Sequence, residues 1–298
     1  MIRFSIFLLA FFTLITQVSA RDEVFTGRQQ MTDDLNLEFN YQVIQRALAL
    51  TVPEYGEYRI QARGTGDIPK QRALEELQKE DGLFNVVLAV TQPDWEEQVI
   101  PIRIPVRMGL LSYRILAVHK DNLAQFSEIA DEEALKKLTV GLRKSWATWE
   151  AMQAKEFSIV NAYSYEQLFS MLEKQRFDYI PRGIYEVFEE VEKQQAINKN
   201  IVVEPNLLVV LPAYYYMFVS PHAPRLVERM TLGLNRMVEQ GMVEQLINEH
   251  YGEFIERANV ANRRVIYLGD TESSKTAPLD QPEYWWRFPE LEQPLNDN

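Results

Sequence analysis

The chain lacks cysteine, has only three histidines and, after residue 20, contains no long apolar run. Without cysteine it cannot form a disulfide, a thiolate metal site, an iron–sulfur cluster or a cysteine nucleophile. His119, His222 and His250 are far apart in the sequence and no HExxH motif occurs, so we expect neither a metal nor another cofactor. No stretch after the N-terminus approaches the roughly 18 apolar residues of a membrane-spanning helix.

Basic residues are also scarce relative to acidic ones. The 298 residues include 31 Lys and Arg against 43 Asp and Glu, which gives a net charge of -12. Such an acidic chain is a poor candidate for binding nucleic-acid phosphates or anionic membranes, so we expect no nucleic-acid partner. The hydrophobic fraction of 46% and charged fraction of 25% are those of a globular protein. The length corresponds to roughly two domains.

The first 20 residues have the layout of a secretory signal peptide. Arg3 supplies the positive start, residues 4–15 are mostly apolar, and Val-Ser-Ala at 18–20 suits a cleavage site. An uncleaved anchor is the alternative, but the apolar run is short for a membrane span. Residue 21 is arginine, so we expect no lipid anchor. An exported chain without cysteine fits a bacterial periplasm, and we predict cleavage between Ala20 and Arg21.

Helix and strand patterns alternate along the mature chain. Residues 34–50 show helical periodicity, residues 83–90 form a continuous apolar run typical of a buried strand, and residues 139–142 form a short strand that leads into a helix. This alternation predicts an α/β protein with sheets flanked by helices.

From about residue 270 the sequence becomes rich in proline and polar residues, yet it retains a cluster of aromatic residues. These are Tyr284, Trp285, Trp286 and Phe288. Two interpretations are open: a tail that packs back on the body through its aromatic side chains, or a docking peptide for a partner. We favour the first, because isolated aromatic side chains usually bury area.

Several short segments together resemble a known family. They are Glu54-Tyr55-Gly56-Glu57-Tyr58, Thr139-Val140-Gly141-Leu142, Tyr163-Ser164-Tyr165-Glu166-Gln167-Leu168, and a helix with Gly241 that leads to Tyr251-Gly252. In this order and spacing they resemble the type 2 periplasmic solute-binding proteins, in particular the family 3 group that serves amino-acid transporters. The similarity spans roughly residues 30 to 255.

The resemblance implies a periplasmic-binding-protein type 2 fold with two lobes, mixed sheets flanked by helices and two hinge strands. Lobe 1 would comprise residues 21–111 and 220–269, lobe 2 residues 112–219, and the tail residues 270–298. A small-molecule ligand would be trapped between the lobes by hinge closure, in a monomer that presents it to a membrane transporter. A membrane sensor protein is the alternative partner.

The resemblance also indicates candidate ligand contacts in lobe 2. Ser145 and Trp146 lie in the turn that precedes a helix, where family members often contact the anionic group of the ligand. The alternative is an N-cap with solvated charges. Arg182 stands near the point where amino-acid-binding members usually place an acidic residue for the ammonium group. An arginine there favours an anionic ligand group, and a surface arginine is the alternative.

In lobe 1 the family pattern has a threonine after the buried strand and, about four residues later, an arginine that clamps the carboxylate. Thr91 matches, but Trp95 occupies the arginine position, which favours a flat or apolar ligand that stacks on the indole. Arg107, or Arg103, would substitute for the missing arginine. Arg63 follows the first strand, where cleft residues are expected. We therefore predict an anionic or aromatic ligand, with ordinary packing as the alternative for each side chain.

No catalytic constellation is visible. Adjacent carboxylates such as Glu75-Glu76 are typical of a solvated helix surface, and no GxSxG motif occurs. We therefore expect a binding protein and not an enzyme. A sensory module of a membrane signalling protein, or a small periplasmic enzyme such as a dehydratase on the same fold, are the alternatives.

Overall fold

The computed structural model describes residues 21–27, 35–64, 68–289 and 291. The predicted signal peptide lies outside these residues, as do positions 65–67 and 292–298. In the described part of the chain, every helix is too short or too polar to span a membrane.

The first lobe is built on two adjoining groups of strands. Its strands are β1 (Asp22–Thr26), β2 (Tyr58–Ala62), β3 (Val86–Val90), β4 (Ile100–Ile102) and β11 (Tyr215–Val219). β1 and β2 pair in parallel, and β11 lies antiparallel between β3 and β4. The two groups meet at Asn85, whose backbone N–H donates to the Phe25 carbonyl (2.9 Å) and whose side chain accepts from the Phe25 N–H (2.7 Å).

Six helices of the described chain flank these strands. They are α1 (Leu35–Ala49), α2 (Val52–Tyr55), α3 (Lys70–Leu77), α4 (Pro93–Gln98), α10 (Pro224–Glu239) and α11 (Met242–Ala258). The break between α10 and α11 falls at Gly241, whose φ of 68° lies in the left-handed region that favours glycine.

The second lobe contains a mixed seven-stranded sheet. Its strands are β5 (Tyr113–His119), β6 (Thr139–Leu142), β7 (Ser158–Asn161), β8 (Tyr179–Gly183), β9 (Ile201–Val203), β10 (Leu207–Val210) and β12 (Arg264–Tyr267), in the spatial order β12-β10-β5-β8-β6-β7, with β9 also paired to β5. Its helices are α5 (Leu123–Ser127), α6 (Glu132–Lys136), α7 (Ala147–Ala154), α8 (Tyr165–Glu173) and α9 (Val187–Gln195). Short 3₁₀ helices lie at Leu110–Ser112, Lys120–Asn122, Val260–Asn262, Glu272–Lys275 and Pro282–Tyr284.

Strand pairing differs from the predicted lobe boundaries at two places. β11 was expected in lobe 2, but it pairs with β3 and β4 of the first lobe. β12 was expected in lobe 1, but it pairs in parallel with β10 of the larger sheet. The reason is that a strand joins the sheet whose edge offers it hydrogen-bond partners, and position along the chain does not determine that edge. The chain therefore crosses between the lobes near residues 103–112 and 211–214, and again between α11 and β12, near residues 259–263.

Helices α1 and α10 pack closely against each other in the core of the first lobe. The buried face of α1 follows helical spacing, with Phe39, Val43, Ile44, Ala47 and Leu48 at most 1% exposed. Gly233 of α10 faces this helix: a Cβ built there would overlap the carbonyl oxygen of Ala47. The close approach of the two helices therefore depends on the absence of a side chain at position 233.

A buried arginine fastens the first strand to these helices. The Arg229 side chain on α10 is fully buried, and its Nη1 donates to Asp22 of β1 (2.7 Å). Its remaining N–H groups donate to the Thr51 hydroxyl and to the carbonyls of Leu48 and Gly56. A buried guanidinium is tolerated when its charge is paired and its donors are bonded, and this one meets both conditions.

Two glycine substitutions test the helix contact. Gly233→Ala should destabilise the protein by about 1–3 kcal/mol, because the added methyl group overfills a packed interface. Gly252→Ala in α11 is the matched control, since a Cβ there contacts only the flexible Asn248 side chain at 3.9 Å. It should stabilise the helix by up to about 1 kcal/mol. Urea unfolding of both variants measures the difference, and equal effects would contradict the packing argument.

Candidate functional site

A cavity of about 480 Å³ lies between the two lobes. The first lobe contributes residues 90–93 after β3, and the second lobe contributes one face of α7. The crossing segment 211–213 and residues 270–273 and 275 complete the wall. Hydroxyl, amide and charged groups dominate the polar lining, and none of the described residues in the wall is aromatic. Apolar atoms nevertheless contribute most of the lining surface.

Arg114 is the exceptional residue of this wall. It lies in β5, is 5% exposed, and lines the cavity. Its Nε has no hydrogen-bond partner among the described residues, which is also true of Arg107 Nε. Burial lowers the pKa of Arg114, and the charge of Arg182 adds to this effect while Glu186 opposes it. A buried cation without a bonded counter-charge is unfavourable.

A second cluster of charged residues is centred on Arg182, at the end of β8. Arg182 donates to Glu190 in a bidentate pair (2.6 and 2.5 Å) and lies 3.2 Å from Glu186. Its guanidinium also stacks on the Trp146 ring at 4.5 Å. Arg182 therefore has its own carboxylates, and the prediction that it pairs with an anionic ligand is wrong for this conformation.

The two carboxylates beside Arg182 have opposite pKa shifts. Burial acts to raise the pKa of Glu186, but the charges of Arg182 and Arg114 and the Gly183 N–H lower it overall. Burial raises the pKa of Glu190, and its bond to Arg182 only partly offsets this. Glu186 is therefore the firmly ionised partner, and it shares its charge between two arginines.

Arg107 occupies a separate buried cage near the crossing segment. It is 4% exposed, and its Nη1 donates to the Tyr185 hydroxyl at 2.6 Å. Rings of Tyr215 and Tyr251 face its guanidinium, the first at 4.0 Å. Burial raises the pKa of Tyr185 to about 12, so this hydroxyl is neutral at physiological pH. The predicted role of Arg107 as a carboxylate clamp is not supported, because aromatic rings enclose it.

Lys70 adds a cation from the first lobe. Its charge interacts with Glu186, Arg114 and Arg107. The pKa of Lys70 is lowered, chiefly because protein displaces water around the ammonium group, although the side chain itself is exposed.

Two of the predicted lobe 1 residues lie in different surroundings. Thr91 lines the cavity, where its hydroxyl donates to Glu96 at 2.6 Å. Glu96 also pairs with Arg103, which is therefore not free to hold a ligand. Trp95 is 3% exposed and packs edge-on against Phe218 inside the core of the first lobe. The prediction of a stacking role for Trp95 is wrong, because α4 turns the indole toward the sheet.

The remaining predicted residues lie outside the cavity wall. The Arg63 guanidinium lies over the Phe25 ring at 3.2 Å, at the end of β2. Ser145 is exposed in the turn before α7 and makes no N-cap hydrogen bond, because Trp146 occupies the cap position. The structure thus brings together Trp146 and Arg182, and separately Thr91 with the cavity.

Sequence reasoning missed Arg114, Glu186 and Glu190. Arg114 stands inside an otherwise apolar run, Tyr113 to His119, and a charge in a buried strand is a usable signal. Arg182, Glu186 and Glu190 follow one another at intervals of four residues, which places them on one face when the chain turns into a helix.

Removal of the Glu186 charge should weaken the protein in a pH-dependent way. Glu186→Gln leaves Arg182 and Arg114 less compensated and should cost about 2 kcal/mol near neutral pH. The folded-state pKa of Glu186 lies below its ordinary value of 4.5. Its stabilisation is therefore complete above that value and is lost as pH falls through the folded-state pKa.

Urea unfolding at several pH values checks this prediction. The difference between Glu186→Gln and the unchanged protein should be largest near pH 7 and should shrink below about pH 4.5. Glu189→Gln is the matched control on the same helix, since Glu189 is more exposed and pairs with Lys193. A pH-independent loss in Glu186→Gln would contradict the assignment of the ionised state.

Comparison with known proteins gives no match to any family model and no curated protein with a similar sequence. Solved structures do match in shape. An ancestral arginine-binding protein bound to arginine has a TM-score of 0.53 and 16% identity, covering 78% of this chain and 99% of its own. A histidine kinase sensor domain with similarity to periplasmic binding proteins has a TM-score of 0.52 and 15% identity, covering 78% of this chain and 96% of its own.

A periplasmic binding protein from Salmonella typhimurium with high arginine specificity has a TM-score of 0.50 and 16% identity, covering 77% of this chain and 99% of its own. At these identities the likeness concerns the fold. It confirms the predicted fold class, and the chain has the two-lobed α/β fold of type 2 periplasmic binding proteins.

Proposed function

We propose that this protein is an extracytoplasmic solute-binding protein that holds a small anionic ligand in the cavity between its lobes. The observation that carries the proposal is Arg114, a buried cation on the cavity wall without a bonded counter-charge. A carboxylate or phosphate of the ligand would supply that charge through charge-assisted hydrogen bonds. The hydroxyls of Thr91 and Thr148, also on the wall, would hold further polar groups of the ligand.

Of the two ligand types predicted from the sequence, we retain the anionic ligand and reject the aromatic one. Trp95 is in the core, Trp146 is stacked on Arg182, and the described cavity wall has no ring. Arg182 is also paired with Glu186 and Glu190, so these carboxylates are not left to bind the ammonium group of an amino-acid ligand. We infer binding and not catalysis, and a ligand other than an ordinary amino acid.

The partner would be a membrane transporter or a membrane sensor protein. The folds of transport-type binding proteins and of a histidine kinase sensor domain match about equally well. Either partner would recognise the ligand-bound protein.

The proposed location is the periplasm, after cleavage between Ala20 and Arg21. β1 begins at Asp22, and Arg21 already bonds to the Tyr58 carbonyl at 3.1 Å. Cleavage at the predicted bond would therefore leave the first strand complete. N-terminal sequencing of protein exported from a bacterial host tests this directly, and a product that still carries residues 1–20 would contradict it.

Thermal-shift screening of residues 21–298 tests the ligand proposal. The compounds are dicarboxylates, hydroxy acids, phosphorylated metabolites and, for contrast, free amino acids. A ligand at 100 times its dissociation constant should stabilise the protein by about 2.7 kcal/mol.

Arg114→Met separates binding from stability. The substitution removes the cation from the cavity wall and, with it, one of the arginines whose charge favours ionised Glu186. Urea unfolding of the ligand-free variant is therefore measured first, so that a change in stability is separated from a change in binding. The variant should lose the thermal shift produced by anionic compounds. Arg257→Met is the matched control, since Arg257 is a half-exposed arginine paired with Glu192 on the surface. Unchanged binding in Arg114→Met, or stabilisation only by amino acids, would overturn the proposal.

A further inference from the structure

The C-terminal residues 270–289, here called the strap, pack back on the body of the protein along a path that passes both lobes. The strap follows β12, which is paired with β10 in the sheet of the second lobe. It then runs along the cavity, over the crossing segments and onto the first lobe. This path agrees with the interpretation of the tail as a packed segment, in contrast to a free docking peptide.

Near the cavity the strap bonds to both lobes. The carbonyl of Asp270 accepts from Lys155 at the end of α7 in the second lobe (2.9 Å). Thr276 donates to Glu96 on α4 of the first lobe (3.1 Å). Between these points the Thr271 hydroxyl donates to the Pro212 carbonyl of the crossing segment (3.3 Å). The seven strap residues 270–276 thus span the cavity from one lobe to the other.

The aromatic residues of the strap fasten it over the crossing segments. Trp285 packs on Tyr214 (5.3 Å between ring centroids) and against Gly109, where an added Cβ would lie 2.9 Å from the indole. The backbone N–H of Trp286 donates to the Met108 carbonyl at 2.8 Å. Phe288 is 8% exposed. These contacts lie where the backbone must rotate if the lobes separate.

The far end of the strap is bonded to the first lobe. The Tyr284 hydroxyl donates to Asn235 on α10 at 3.1 Å. Because the strap is joined to the second lobe by β12 and bonded to the first lobe at Tyr284, wide opening of the lobes requires the strap to leave at least one set of contacts.

We propose that the strap holds the two lobes at one separation and forms a fixed wall of the interlobe cavity, so that the cavity persists without hinge opening. This inference modifies the hinge closure implied by the resemblance. It rests on the proposed function only for the identity of the cavity as the ligand site. The ligand would meet a preformed cavity, and exchange would follow local release of the strap.

Distance measurements between spin labels test the fixed separation without any ligand. The chain has no cysteine, so Glu80→Cys with Tyr163→Cys places one label on each lobe at exposed positions. Double electron–electron resonance on the mature chain should give a single narrow distance distribution. Glu80→Cys with Glu228→Cys, both in the first lobe, is the reference for the width due to the labels alone.

Weakening of the aromatic anchors should release the lobes. Trp285→Ala with Phe288→Ala should broaden or shift the distribution between lobes and leave the distribution within the first lobe unchanged. Amide hydrogens in residues 270–289 should exchange at least about tenfold faster, while those in β3 and β6 stay protected. Phe254→Ala is the matched control, since it truncates a half-buried aromatic residue of α11 away from the strap.

Two results would overturn the proposal. The first is a broad or two-peaked distance distribution between the lobes in the unchanged protein. The second is a distance distribution between the lobes that stays narrow in the aromatic double variant although hydrogen exchange shows that its strap is released. If the aromatic double variant fails to fold, Lys155→Met with Thr276→Val removes the two polar links at the cavity and leaves the aromatic packing intact. Failure of the ligand proposal would appear separately, as thermal shifts insensitive to Arg114→Met with an unchanged distance distribution.

Discussion

The burial of three guanidinium groups at the junction of the lobes is the constraint on which the rest of this structure depends. Arg182 is compensated by Glu186 and Glu190, and Arg107 by tyrosine rings and one hydroxyl. Arg114 has no bonded partner in the described chain. A buried charge without a bonded partner is costly, and this cost is the physical basis on which we propose an anionic ligand for the cavity.

The surroundings of the cavity differ from what the family resemblance implies. The aromatic and arginine side chains expected in the cleft are used elsewhere: Trp95 supports the first-lobe core and Arg107 is enclosed by rings. The strap supplies part of the wall in their place. The strap is held on both lobes, which limits their relative motion. Selectivity for the ligand would therefore come from the shape of the cavity more than from closure around the ligand.

The order of elements was predictable because local signals are strong in this chain. The apolar run before Thr91, the helical spacing in α1 and the glycine between α10 and α11 each correspond to an observed element. Three prolines in the segment 91–111 argue against regular structure, yet the segment contains α4 and β4. Pro93 lies in the first turn of α4, and Pro101 lies in the edge strand β4. Both are positions where proline is tolerated.

The sequence by itself determined the α/β class and the succession of helices and strands, because periodicity and turn residues act over a few positions. The two-lobed fold was implied by the resemblance to the type 2 periplasmic solute-binding proteins. Only the tertiary structure decided which side chains reach the cavity. Trp95 and Arg182 differ from their expected roles because residues distant in sequence lie beside them. Trp95 packs against Phe218, and Arg182 stacks on the ring of Trp146. Arg114 became a candidate for the same reason, since no sequence pattern shows that a buried charge lacks a partner.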